Sequence, residues 1–263
     1  MVTLAAIFAP SQPPERIVAV AAAADAVGLG ELWVWEDCFS ESGIATATAM
    51  LAVTGRVTVG IGLLPVPLRN VALTAMELAT VSRLFPGRLV AGVGHGVLDW
   101  MGQAGARVES PMTLLREYTA ALYALLHGET VTTRGRYVNL DAVALDWPPA
   151  VAPPLLVGGI RPRTVSLAGE LADGVIIPGG VSPEEVRASV GHLRAQRGAG
   201  RGPAEVVVFI SAPADSPARD IAATVSDYAA AGATCVAVNA DEDDADIERF
   251  AGLLAREVSP LVR

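Results

Sequence analysis

Lysine is absent from this 263-residue sequence, so all 19 basic side chains are arginines. That excludes, within the chain, a Schiff-base aldolase, a pyridoxal-phosphate lysine and the lysine of a Walker A phosphate loop. Histidine is nearly as scarce: His95, His127 and His192 form no H-x-H or H-E-x-x-H pair, so a zinc hydrolase and any metal site are not expected. The two cysteines, Cys38 and Cys235, lie far apart, and the opening MVTLAAIFAPSQPP lacks a charged n-region and a long apolar run. A reducing cytoplasm is the expected location. No stretch offers about 18 consecutive apolar residues free of charge, so no membrane span is expected. A net charge of −9 with no basic run argues against a nucleic-acid or anionic-membrane partner.

What the chain has in quantity is apolar surface, 52% hydrophobic residues against 18% charged, enough for a globular core. Length alone allows one large barrel or two small domains. Short β-branched runs alternate with alanine- and leucine-rich stretches throughout. TLAAIFA, ELWVWE, VTVGIGLLP, GRLVAGVG, PPLLVGG, DGVIIPGG, AEVVVFISA and TCVAVNA read as strands, each followed by a helical pattern. Ser182, Pro183 and Glu185 stand where an N-cap, N1 and N3 belong in a capping box. The strands are apolar on both faces, as in parallel sheets covered on both sides. Eight such units predict an α/β fold of the (β/α)8 TIM-barrel type, one domain over 1–263, with a small hairpin inserted around 134–150.

In such a barrel the chemistry belongs at the C-terminal ends of the strands. Those ends read Glu36-Asp37-Cys38, Gly62-Leu63-Leu64-Pro65, Gly94-His95-Gly96, Gly158-Gly159 and Pro178-Gly179-Gly180. Glycine there admits a ligand close to the backbone, and a helix N-terminus beside Arg161 and Arg163 suits a phosphate, although each loop alone is also what a tight turn needs. GVGHG is G-x-G-x-G and follows the fourth strand, so it makes a poor dinucleotide fingerprint. The period of two puts Trp33 and Trp35 on one strand face, where the bulk of the indoles predicts packing against helices. Glu36 is then expected to top the barrel interior and Asp37 to start the loop.

Taken together, AADAVGLGELWVWEDCF, VTVGIGLLPVPLRNV, AMELATVSRLFPGRLVAGVGHG, PPLLVGG and LAGELADGVI resemble the bacterial-luciferase-like family of flavin- and F420-dependent barrel oxidoreductases. The likeness extends over most of the chain. The family often ends its second strand in Glu-His-His-Phe or Asp-His-Phe; here the run is Glu36-Asp37-Cys38-Phe39, and Asp37 takes the histidine's place. The resemblance implies a nonprolyl cis peptide at Gly62-Leu63 and ring contacts from Asp37, Gly62, Leu63, Leu64, Gly94, His95 and Gly96. It also implies a phosphate grip from Gly158, Gly159 and Arg161 with Ile177, Pro178, Gly179 and Gly180. A cationic position of the family is Val181 here, and the glutamate that sugar-phosphate dehydrogenases of the family use is Val97. The implied activity is hydride transfer between coenzyme F420 and a small organic substrate, with His95, Asp37 and Glu36 as catalytic candidates. The alternatives are an FMN-dependent monooxygenase served by a separate flavin reductase, and a catalytically silent flavin-binding barrel. A homodimer is the family expectation.

Overall fold

The structure is a computed structural model that describes residues 2–198, 200–241 and 246–262. Its strands are β1 (Thr3–Ile7), β2 (Glu31–Val34), β3 (Thr58–Pro65), β4 (Leu89–Gly94), β5 (Val131–Arg134), β6 (Asn139–Val143), β7 (Leu155–Gly158), β8 (Gly174–Ile177), β9 (Glu205–Ala212) and β10 (Cys235–Ala240). Eight of them close in the order β1-β10-β9-β8-β7-β4-β3-β2, every neighbouring pair parallel. The fold is a TIM barrel.

Helices α1 (Ile17–Ala26), α2 (Gly43–Ala52), α3 (Val71–Leu84), α4 (Leu98–Gln103), α5 (Pro111–Leu126), α6 (Pro162–Leu171), α7 (Pro183–Gln196), α8 (Ala218–Ala231) and α9 (Ile247–Leu253) run between or after the barrel strands. Local chemistry starts several of them. Ser42 caps α2 through Ala45 N–H, Asn70 caps α3 through Ala72 N–H, and Ser182 with Glu185 makes the full capping box of α7. Among the described residues no helix is long and apolar enough to cross a membrane.

Outward strand residues such as Leu32, Val34, Val59, Ile61, Val157 and Val208 join the helices in one continuous core. The lumen holds a second cluster of Ala5, Ile7, Trp33, Leu156, Ile176, Val207, Phe209, Cys235 and Ala237, with Trp35 packed on its upper side. The indoles therefore point into the barrel, opposite to the expectation from their bulk. The room comes from the neighbouring strand: a Cβ on Gly60 would lie 2.4 Å from Trp33 ring atoms, and one on Gly62 would lie 3.2 Å from Trp33 and 2.7 Å from Phe209. Two glycines facing inward let a narrow lumen take two tryptophans.

The hairpin pairs β5 with β6, so it starts before residue 134 and its strands end at Val143; residues 144–154 are irregular. Its turn falls at Gly135–Val138, because Glu117 of α5 accepts the backbone N–H groups of Arg136, Tyr137 and Val138 at 2.9, 2.8 and 3.0 Å. Partial burial works against that carboxylate's charge, but these bonds prevail and hold its pKa below the usual value.

Candidate active site

A cavity of about 420 Å³ opens at the C-terminal mouth of the barrel. Trp35 and Asp37 follow β2, Gly62 and Leu63 come from β3, His95 and Gly96 follow β4, Gly158 ends β7 with Gly159 next to it, and Ile176, Pro178 and Phe209 close the far side. Val97 and Trp100 stand at its rim. Phe209 meets Trp33 edge-on at 5.6 Å and Trp35 at a tilt at 6.0 Å, which makes an apolar floor.

One wall is the irregular end of β3. Its register with β4 shifts between Ile61 and Leu64, and the Gly62–Leu63 peptide is cis, as is Cys38–Phe39. The Leu63 side chain lies between the ends of β4 and β7, where a Cβ on Gly94 or Gly158 would sit 2.5 or 2.1 Å from its Cδ2 atom. Those two glycines make room for Leu63, so the close approach inferred from the sequence is that of a side chain rather than of a ligand. Leu64, one residue on, is buried among the helix-side core, as is Ile177 on β8. A strand turns successive side chains to opposite faces, so the cavity receives Leu63 and Ile176 and not Leu64 and Ile177.

The same alternation separates the acidic pair. Asp37 faces the cavity, where its Oδ2 accepts the Trp35 Nε1–H at 2.7 Å. Glu36 does not top the barrel interior. It borders the cavity, but its Oε2 accepts the first N–H of α2, from Gly43 at 2.8 Å, and the Arg69 guanidinium at 2.6 Å. A carboxylate so held ties β2 to α2 and α3.

His95 is half-buried beside Thr164, Nε2 to Oγ1 3.4 Å, and its Nδ1 is buried without a partner of good hydrogen-bond geometry. Burial lowers its pKa, and the nearby Arg161 charge adds to this against the opposing pull of the Pro111 carbonyl. The imidazole is thus neutral at pH 7 and can donate from one nitrogen or accept at the other.

At the β7–β8 side, Arg161 is the exposed N-cap of α6 and pairs with no carboxylate among the described residues. Among the described residues the N–H groups of Gly179 and Gly180 donate to no backbone acceptor, and Gly180 sits at φ 81°, a conformation glycine adopts freely. Val181 is buried, with its carbonyl accepting the Tyr228 hydroxyl at 2.6 Å. No group of three or more potential metal ligands occurs among the described residues.

Free N–H groups, one unpaired cation and an apolar slot suit a flat ring compound that carries a phosphate. Sequence reasoning missed Trp35, Ile176 and Phe209 as cavity walls, and missed Ser211 and Asn239, which line a smaller neighbouring cavity. The period of two along AEVVVFISA, with its lumen series Val207, Phe209 and Ser211, was the available signal.

The fold and site define a TIM barrel with an apolar cavity at the C-terminal mouth. The chain belongs to the luciferase-like monooxygenase family, whose sequence model matches residues 2–257. It is 29% identical over 202 residues to a 5,10-methylenetetrahydromethanopterin reductase of Methanolobus tindarius, covering 76% of this chain and 61% of that one. It is 33% identical over 139 residues to an F420-dependent glucose-6-phosphate dehydrogenase of Nakamurella multipartita, covering 51% of this chain and 41% of that one. The chain thus spans less than two thirds of the length of these relatives. In fold, it matches an F420-dependent secondary alcohol dehydrogenase solved with an F420–acetone adduct, with a TM-score of 0.87 at 18% identity over 100% of this chain and 99% of that one.

Proposed function

We propose that the protein is an oxidoreductase that uses coenzyme F420 to exchange a hydride with a small organic substrate at the barrel mouth. The observation that carries this reading is the cavity between the β3 bulge and the β7–β8 loops, in a chain whose relatives include an F420-dependent dehydrogenase. When bound, F420 would supply the hydride chemistry at C5 of its deazaflavin.

The chain's own residues bind, orient and exclude water. Leu63, Ile176 and Phe209 give apolar walls to a ring, and Arg161 with the Gly179 and Gly180 N–H groups would hold the phosphate end. Neutral His95 can hydrogen-bond a substrate oxygen and take the proton of a hydroxyl that is oxidised, and the imidazolium so formed returns that proton in the reverse direction. Asp37, fixed by the Trp35 indole, orients a donor on substrate or ring. Val97 replaces the acid used by the family's sugar-phosphate dehydrogenases, so we read the substrate as something other than a sugar phosphate.

Incubating the protein with reduced F420 and a panel of ketones, aldehydes and imines, and following the return of the deazaflavin's visible absorbance, tests this. Turnover that needs both His95 and Asp37 supports the reading; no turnover with any acceptor, in either direction, opposes it. The same ring-and-phosphate site would accept FMN, in which case a separate reductase is the partner.

We place the protein in the cytoplasm, where its two free cysteines would stay reduced. We also propose a homodimer through α3 and the segment after the hairpin, whose Leu73, Met76, Leu84 and Trp147 are exposed apolar side chains.

A further inference from the structure

A second cavity, of about 270 Å³, continues the first across the mouth toward β9 and β10. The two share Trp35, Gly62, Pro178 and Phe209, and the second ends on Ser211 and Asn239. These two residues are register partners on adjacent parallel strands. Each continues a lumen-facing series, Val207-Phe209-Ser211 and Cys235-Ala237-Asn239, so both side chains top the barrel interior. They are the polar end of an otherwise apolar space.

Asn239 Oδ1 is buried and, among the described residues, has no hydrogen-bond partner. A buried amide oxygen left unpaired is costly, and most such atoms in native proteins find a protein group, a water or a ligand. Among the described residues no charged side chain lines this cavity, so a phosphate or carboxylate finds no counter-charge from them. A neutral hydroxyl matches the pair. It donates to Asn239 Oδ1 and accepts from the Ser211 hydroxyl, and because it does both it also answers the amide turned the other way.

We infer that Ser211 and Asn239 form the substrate-selecting subsite, binding an uncharged hydroxyl of the substrate while the apolar remainder lies against Trp35 and Phe209. The hydroxyl is held on the side of the mouth away from His95. This rests on the proposed oxidoreductase reading for the word substrate; the binding preference itself does not need the cofactor.

The probes are cyclohexanol and methoxycyclohexane, the same ring with the hydroxyl donor kept or methylated. Binding is followed by NMR of the side-chain amide groups in the full-length, nitrogen-15-labelled protein, with and without F420. The chain has three asparagines, and Asn239→Leu identifies the signal of interest. Cyclohexanol should shift the Asn239 amide and bind about tenfold more tightly than the ether, the worth of one well-placed hydrogen bond to a buried group. In Asn239→Leu, and in part in Ser211→Ala at an exposed position, that ratio should fall toward one while F420 affinity stays unchanged. The Ser211 variant and the wild-type shift decide the matter even if Asn239→Leu does not fold. Equal affinity for the two probes, no Asn239 shift up to the solubility of cyclohexanol, or loss of F420 binding in Asn239→Leu with the preference intact would overturn the inference. A protein that shows the alcohol preference yet binds no F420 would keep the subsite and remove the cofactor reading alone.

Discussion

Trp35 donates its indole N–H to Asp37 across one strand repeat, 2.7 Å from nitrogen to oxygen, and the pair faces the cavity where the family often places a histidine. The indole fixes one carboxylate oxygen and leaves the other free to meet a ligand. Asp37→Asn should keep the indole contact but remove the charge, and lower turnover about 10- to 100-fold with cofactor affinity little changed. Steady-state kinetics beside a cofactor titration checks this. Full activity in Asp37→Asn would remove the carboxylate from the mechanism.

Leu63 is clamped between two glycines, so adding a methyl at Gly158 must displace it. Gly158→Ala should destabilise the protein by about 1–3 kcal/mol and weaken ring binding, because the displaced side chain is a cavity wall. Shortening the clamped side chain in the double variant Gly158→Ala/Leu63→Ala should recover part of the stability. A double-mutant cycle by chemical denaturation measures the coupling, and additive effects would contradict the clamp.

Gly60 presents the inner strand face to the Trp33 ring with no space for a Cβ. Here the obstacle is a rigid indole at the centre of the lumen. Gly60→Ala should therefore cost at least as much as Gly158→Ala, about 2–3 kcal/mol or more, read as a lower denaturation midpoint.

His95 has a folded-state pKa below its ordinary value, chiefly through burial. The unfolded chain then binds a proton more readily than the folded one between the lowered pKa and about 6.5, so stability falls as pH drops through that window. Urea unfolding between pH 8 and 5 should show the wild type losing stability relative to His95→Gln as the pH falls below about 6.5. Parallel pH profiles for the two proteins would show that His95 is not held neutral.

Much of the fold was legible because it is written locally. Eight apolar strand runs and the Ser182–Glu185 capping box each follow from residues a few positions apart. The site was legible to the level of loops: Asp37, His95, Gly158 and Pro178 do meet at one cavity. What was not legible depends on distant strands. The inward turn of Trp33 and Trp35 is decided by Gly60, Gly62 and Phe209, and the outward turn of Glu36 by Arg69 and the start of α2. Leu64 and Ile177 each stand one residue from the lumen series, and in a strand one residue changes the face. The hairpin began early because Glu117, on the preceding helix, chooses where the turn falls.

We propose that the cavity at the barrel mouth takes F420. Fluorescence titration of the purified protein with F420 and, separately, with FMN tests it most directly. Saturable F420 binding that weakens about tenfold in Arg161→Ala, through the lost charge-assisted contact to phosphate, is the expected result. Tight binding of FMN with none of F420 would contradict it.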